Sequence, residues 1–231
     1  MTDNTTKQSV NAVEDSARGS RKISPKDRSV KAVAEEVVHT VGMALLLFFG
    51  IHTFVAENRY IPSSSMEPTL QIKDRLIIEK ISYYFRKPQR GEIIVFHPPD
   101  HPAIPNKGSV YIKRVIGVPG DTISIQNGTV YVNGSPINEP YIQSPPAYTL
   151  PSTDPALCPD QCYQPDRVLE VKGLPSFKVP PESYWVMGDN RNNSLDSHVW
   201  GFVPAANVVG RASFRYWPLN SRTGNIKTPQ Y

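Results

Sequence analysis

Thr122-Ile123-Ser124-Ile125-Gln126-Asn127-Gly128-Thr129-Val130-Tyr131-Val132 reads as two β-strands joined by a two-residue turn. Apolar and polar residues alternate on both sides of Asn127-Gly128, the period of a strand with one face buried. Asn-Gly supplies the positive backbone angles that a tight hairpin turn requires. Outward from this hairpin the pattern continues. Asn133-Gly134 turns the chain again, and Pro119-Gly120-Asp121 closes an upstream strand over Val110 to Val118. Further upstream, Arg90-Gly91 precedes a strong β-run ending at Phe96, and Arg75 to Ile81 reads as a buried strand. Downstream, Val168 to Val171, Tyr184 to Met187 and Val208 to Trp217 are predicted strands. The 23 prolines among 231 residues deny long helices to this part of the chain. The fold class is therefore mainly β, with antiparallel pairing. The proline-dense segment 139–167 is expected to be an excursion or annex to this domain.

The segment Val37 to Ala56 carries no charged residue. Twenty helical residues at roughly 1.5 Å each reach about 30 Å, the hydrocarbon thickness of a bilayer. Ala44 to Gly50 is apolar on every helical face, which disfavours a half-buried core helix. The sequence thus predicts a disordered cytoplasmic tail over 1–36, a single N-terminal transmembrane helix over 37–56 and an extracytoplasmic main domain over 57–231. Arg18, Arg21, Lys22, Lys26, Arg28 and Lys31 precede the run, whereas Arg59, Lys73 and Arg75 are the basic residues in the twenty after it. The positive-inside bias puts the N-terminus in the cytoplasm. A cut after Ala56 would leave bulky Phe54 at the third position upstream, so the run reads as a retained anchor and not a cleaved leader. The expected location is the plasma (inner) membrane, with an internal membrane such as the thylakoid as the alternative.

A hydrophobic content of 39% suits one span plus a globular core, not a polytopic protein. The net charge of +4 is spread without a dense basic block, which argues against nucleic acid. Cys158 and Cys162, in Cys-Pro-Asp-Gln-Cys, favour a local disulfide outside the cytoplasm, with free thiols or a metal or redox role as alternatives. His97-Pro-Pro-Asp100-His101 hints at metal, but prolines forbid the helix that would align its histidines. No metal or organic cofactor is implied.

Three further stretches carry chemistry. Ile61-Pro62-Ser63-Ser64-Ser65-Met66-Glu67-Pro68-Thr69-Leu70 follows the apolar run, then Tyr111-Ile112-Lys113-Arg114, then Gly188-Asp189-Asn190-Arg191-Asn192-Asn193-Ser194-Leu195-Asp196-Ser197. Each alone has a plain reading: a polar turn, a surface-charged strand, an Asn/Asp-rich loop. A serine hydroxyl needs a base to become a nucleophile, and a lysine serves only when burial keeps it neutral. On a strand, Tyr111, Lys113 and Val115 share one face, and Ile112, Arg114 and Ile116 the other. The two cations are thus expected to point apart, one inward and one outward. Asp189 and Arg191 are expected to pair.

Their order after an apolar anchor resembles the type I signal peptidases (leader peptidases), membrane-anchored Ser-Lys serine proteases that remove signal peptides from exported proteins. The likeness runs from the apolar run to about Trp217. It implies a signal-peptidase-like β-rich catalytic domain, Ser65 as nucleophile, Lys113 as base and Ser63 in the oxyanion hole. It further implies Ser194 hydrogen-bonded to the lysine and Asp196 bracing that segment. Ile61, Pro62, Met66, Leu70, Tyr111 and Ile112 match residues around the family's small apolar substrate pockets, which fit Ala-X-Ala. The implied partners are signal-peptide-bearing preproteins, the lipid bilayer and the protein-export machinery. The chain departs from the family at His198, where arginine is common; a histidine there makes pairing with Asp196 pH-sensitive. Competing readings are a histidine base at His198, a catalytically silent membrane-anchored binding module, and a Ser-Lys peptidase dedicated to one substrate.

Overall fold

The computed structural model describes residues 25–50, 55–104, 108–152 and 168–231, so Cys158, Cys162 and the rest of 153–167 lie outside the described residues. The chain forms two compact units that divide between Leu47 and Phe48. The first contains most of helix α1, Pro25–Gly50. Proline suits a helix start, because its missing N–H would have no intrahelical partner there. Within it, Ser29–Gly50 is long and apolar enough to cross a membrane, and its side chains are exposed: Leu46 68%, Phe48 62%, Phe49 61%. The helix differs from the expected span at both ends. It takes in 25–36, which were expected to be disordered, and Ala56 belongs to a strand.

The second unit is built of antiparallel strands: β1 Ala56–Tyr60, β2 Arg75–Glu79, β3 Ile93–Phe96, β4 Tyr111–Gly117, β5 Thr122–Gln126, β6 Thr129–Val132 and β7 Ser135–Pro136. After them come β8 Val168–Val171, β9 Leu174–Lys178, β10 Ser183–Met187, β11 Val203–Pro204, β12 Val208–Trp217 and β13 Gly224–Asn225. Two short helices, α2 Ser82–Phe85 and α3 Ser197–Trp200, lie between strands. One sheet runs β1-β2-β12-β3-β4-β10-β11, with β13 beside β12; the other runs β7-β6-β5-β9-β8. The β5–β6 hairpin has the expected register, Gln126 opposite Thr129, and both Asn127 and Gly128 take positive φ (49° and 76°). Strand β2 differs from expectation. It alternates exposed and buried, with Leu76 and Ile78 inward and Ile77 outward, because only one of its faces is covered. Segment 139–167 is not wholly an annex either. Leu150 bridges to Ile125 and is fully buried in the core between the sheets.

Strand β4 lies inside the large sheet with apolar clusters on both faces. Val115 packs with Ile94, Tyr184, Val186 and Trp200, whereas Ile112 faces the cluster of Ile61, Met66, Leu70 and Ile78. Lys113 and Arg114 therefore point to opposite faces, yet both are buried, at 3% and 1% exposure. The expectation that one of them would face outward fails because neither face of β4 meets solvent there. Arg114 forms a bidentate pair with Asp189, Nε to Oδ1 at 2.8 Å and Nη2 to Oδ2 at 2.6 Å, and donates to the Gly91 carbonyl at 2.8 Å. Its guanidinium also lies 4.0 Å from the centre of the Tyr141 ring. Asp189 thus pairs with Arg114 and not with Arg191. Arg191 is held by Glu139, at 2.7 and 2.5 Å.

Breaking a buried ion pair leaves one charge without compensation, which costs about 3–5 kcal/mol. Arg114→Ala is therefore expected to lower unfolding stability by that amount, as measured by chemical denaturation of the detergent-solubilised protein. A change below about 1 kcal/mol would show the pair to be dispensable.

Candidate active site

Ser65 lies in the turn-rich loop between β1 and β2. Its neighbour Met66, and Leu70 four residues on, have no exposure, and with Ile61 they pack against Leu76, Ile78 and Ile93. Burying such a side chain contributes about 1.5–3 kcal/mol, so apolar anchors fix a loop whose serines have no packing value of their own. A second loop, following β10, holds the first from the other side. The Asn190 N–H donates to the Ser65 carbonyl at 3.1 Å, and the Asn190 side chain to the Ser64 carbonyl at 3.3 Å. Asn193 Nδ2 donates to Ser64 Oγ at 3.0 Å. A Cβ on Gly188 would collide with the Ser194 hydroxyl and come within 2.5 Å of the Ser65 carbonyl oxygen. Glycine is therefore what lets these two loops approach.

Lys113 reaches the serine from β4. Its Nζ donates to Ser65 Oγ at 2.6 Å, and Ser65 keeps 7% exposure. Burial of the amine lowers the Lys113 pKa from 10.5 to about 8, against the opposing charges of Asp196 and Asp189. Desolvation dominates because an ammonium in an apolar setting loses its hydration, and the two carboxylates return only part of it. Ser63 is exposed, and its Oγ lies 3.5 Å from Ser65 Oγ.

Asp196 is fully buried below this pair. It accepts from the Gly188 N–H at 2.8 Å, from the His198 N–H at 3.2 Å and from His198 Nδ1 at 2.7 Å. Burial opposes its charge, but His198 and these donors outweigh burial and hold the carboxyl below its usual range. The hydrogen bond expected between Ser194 and Lys113 is not formed. Among the described residues the buried Ser194 hydroxyl has no partner of proper hydrogen-bond geometry, though it lies near enough to Asp196 to help keep that carboxylate charged.

Of the expected substrate-binding residues, Ile61, Met66 and Leu70 are core, whereas Pro62 is exposed and Tyr111 and Ile112 are half-buried. The Tyr111 ring centre lies 5.7 Å from Lys113 Nζ. A cavity of about 800 Å³ lies on the other face of β4, lined by Thr69, Arg114, Tyr141 and Arg215 among others, away from the serine. His101 Nδ1 accepts from the Ala103 N–H at 3.1 Å, and the His97 backbone N–H donates to the Asn207 carbonyl at 2.9 Å. Sequence reasoning missed Glu139, Asn190 and Tyr148. Of these, the Asn190 position lay inside a quoted stretch, and the other two carry no local signal.

Comparison with known proteins identifies the family. The family described as "Signal peptidase, peptidase S26" matches residues 34–217. The chain belongs to that family and is a serine endopeptidase of the signal peptidase I type, so its substrates bear signal peptides. It is 48% identical over 196 residues to a signal peptidase I of Leptolyngbya laminosa, with 84% of each chain covered. It is 52% identical over 184 residues to probable signal peptidase I-2 of Synechocystis sp., covering 80% of this chain and 73% of that one. It is 38% identical over 177 residues to the chloroplastic thylakoidal processing peptidase 1 of Arabidopsis thaliana, covering 74% of this chain and 45% of that one. The apolar helix and this kinship together make the chain a membrane protein.

The buried amine has a cost in stability. Lys113 titrates near 8 when folded and near 10.5 when unfolded, so the unfolded chain binds the proton more tightly between those values. The resulting destabilisation, roughly 3 kcal/mol, is complete below pH 8 and vanishes as pH rises towards 10.5. Lys113→Met is therefore expected to be more stable than the natural protein at pH 7, with the gain shrinking in alkaline buffer. Denaturation curves across this range measure it; equal stability at pH 7 would contradict the burial argument.

Proposed function

We propose that this chain cleaves signal peptides through a dyad of Ser65 and Lys113. The observation that carries this reading is the 2.6 Å contact of a buried lysine amine with the serine hydroxyl, the amine poised near pH 8 by loss of hydration. Neutral Lys113 removes the proton as Ser65 Oγ bonds to the scissile carbonyl carbon. The ammonium so formed protonates the departing amine as the peptide bond breaks. Lys113 then takes a proton from water as water attacks the ester, and passes it to Ser65 Oγ as the ester bond breaks and the cut signal peptide leaves with a new carboxyl end. The Ser63 hydroxyl and the Ser65 N–H serve as donors to the developing oxyanion, a role worth roughly 3–4 kcal/mol per donor.

The substrate lies extended across Pro62, Tyr111 and Ile112, with Ile61, Met66 and Leu70 as the floor beneath. Small pockets there admit alanine at the first and third positions before the cut and reject larger side chains. Helix α1 anchors the chain in the bilayer with its basic N-terminal flank in the cytoplasm, beside the export machinery. The membrane is the plasma membrane or, as the name of the thylakoidal relative in Arabidopsis suggests, a thylakoid membrane.

Ser65→Ala and Lys113→Ala are each expected to abolish release of a mature N-terminus from a detergent-solubilised preprotein. The double variant should be no worse than either single, because the two groups act as one unit. Appreciable cleavage by either single variant contradicts the dyad. Cleavage of several unrelated preproteins distinguishes a general signal peptidase from one dedicated to a single substrate.

The second expectation concerns pH. Only the neutral amine acts as base, so kcat/KM should rise with pH and level off above an apparent pKa of about 8. A rise centred near pH 6.5 that His198→Ala removes would identify a histidine base instead. Loss of activity on chelation, restored by zinc, would overturn the serine-protease mechanism altogether.

A further inference from the structure

His198 has no part in bond-making, yet its position is highly constrained. The ring lies on Tyr148, with centres 4.4 Å apart and planes within 14°. Its Nδ1 lies 2.7 Å from Asp196 Oδ1, and its side chain keeps 12% exposure against none for the carboxylate. An ionised carboxylate only accepts, so Nδ1 carries a hydrogen and donates. The same carboxylate holds the Gly188 N–H, at the point where the Ser65 and Ser194 loops meet. Its charge also acts on Lys113. The contacts join His198 to Asp196 and Asp196 to the loop junction, and the Asp196 charge in turn favours the Lys113 ammonium. We propose that His198 is a positioning residue whose charge state sets, through Asp196, the pH at which Lys113 becomes a base. This inference rests on the dyad reading above.

The sign follows from charge counting. With a neutral imidazole the His198–Asp196 pair carries a net charge of −1, which favours the Lys113 ammonium. With an imidazolium the pair is neutral, and Lys113 gives up its proton more readily. Imidazole is the side chain that changes charge between about pH 5 and 8. The other groups around the ring do not reverse the effect. Tyr148 is held neutral because burial raises its hydroxyl pKa well above the ordinary value. Behind it, Arg191 and Glu139 cancel as a closed ion pair, and Asp189 is neutralised by Arg114. The consequence is a catalytic base that resists acidification. As pH falls and His198 gains a proton, Lys113 loses its own more easily, so activity declines less than tenfold per pH unit.

Two substitutions separate the states. His198→Arg fixes a positive charge beside Asp196, and His198→Gln keeps a neutral donor there. The acid limb of kcat/KM for preprotein cleavage should lie lower for the arginine variant than for the glutamine variant, by roughly half a unit to one unit. That is less than the one to three units expected of a charge in direct contact. At pH 6.5 the arginine variant should then be roughly three- to tenfold faster than the glutamine variant, once each is scaled to its alkaline plateau. The natural protein should move from the glutamine variant's profile towards the arginine variant's as pH falls, with a limb slope under one. Thermal unfolding of each variant shows whether it folds, and the slope of the natural protein needs no variant at all. Superimposable scaled profiles, a shift in the opposite direction, or a natural limb of unit slope would overturn the proposal. If Lys113→Ala is inactive and the profiles coincide, the role of His198 alone fails. An active Lys113→Ala would remove the dyad itself.

Discussion

The proposed Ser65–Lys113 dyad depends on keeping one lysine amine out of water. An exposed lysine titrates near 10.4 and is an ammonium at any physiological pH. Lys113 is moved to about 8 because strand β4 runs through the interior of the large sheet, with apolar clusters on both faces. Two carboxylates, Asp196 and Asp189, oppose this shift; Asp189 is neutralised by Arg114, and Asp196 is hydrogen-bonded to His198. Without those partners the buried negative charges would draw the proton back to Lys113. The buried ion pairs therefore serve the chemistry at least as much as the stability, to which such pairs contribute little net.

Positioning is the second requirement. A 2.6 Å contact between Nζ and Oγ calls for a serine loop that does not drift. Met66 and Leu70 fix it from within by apolar burial, and Asn190 and Asn193 fix it from the loop after β10 by hydrogen bonds. Gly188 permits the close approach, and Asp196 caps the Gly188 N–H. Three segments distant in sequence are thereby held as one surface, none of them stable in that form alone.

The β architecture was legible wherever a local rule decides it. Asn127-Gly128 dictates its hairpin, and alternation marks the strands on either side. Strand β9, Leu174–Lys178, escaped notice because Pro175 and the polar residues around it obscure its period. The long apolar helix was visible from its uncharged core. Its ends were not, since Ala56 is as apolar as the helix and yet pairs with Glu79 in a sheet. The site divided similarly. The order of the Ser, Lys and Asp motifs pointed, through the family resemblance, to a Ser-Lys dyad, but a turn, a strand and a loop say nothing of burial. Arg114 looked like a surface charge because its buried partner lies 75 residues away, and Arg191 was matched to Asp189 when its partner is Glu139, 52 residues off. Long-range pairs leave no trace in spacing.

The most direct test of the account is the protonation of Lys113 itself. Isotope labelling of the lysine side-chain nitrogens in the full, detergent-solubilised chain, with the Lys113→Met variant to assign the signal, reports its titration by NMR. The account predicts a resonance, absent from that variant, that changes from ammonium to amine near pH 8. A Lys113 resonance that titrates near the ordinary value of 10.5 would contradict it, because a lysine still charged at working pH cannot take the proton from Ser65.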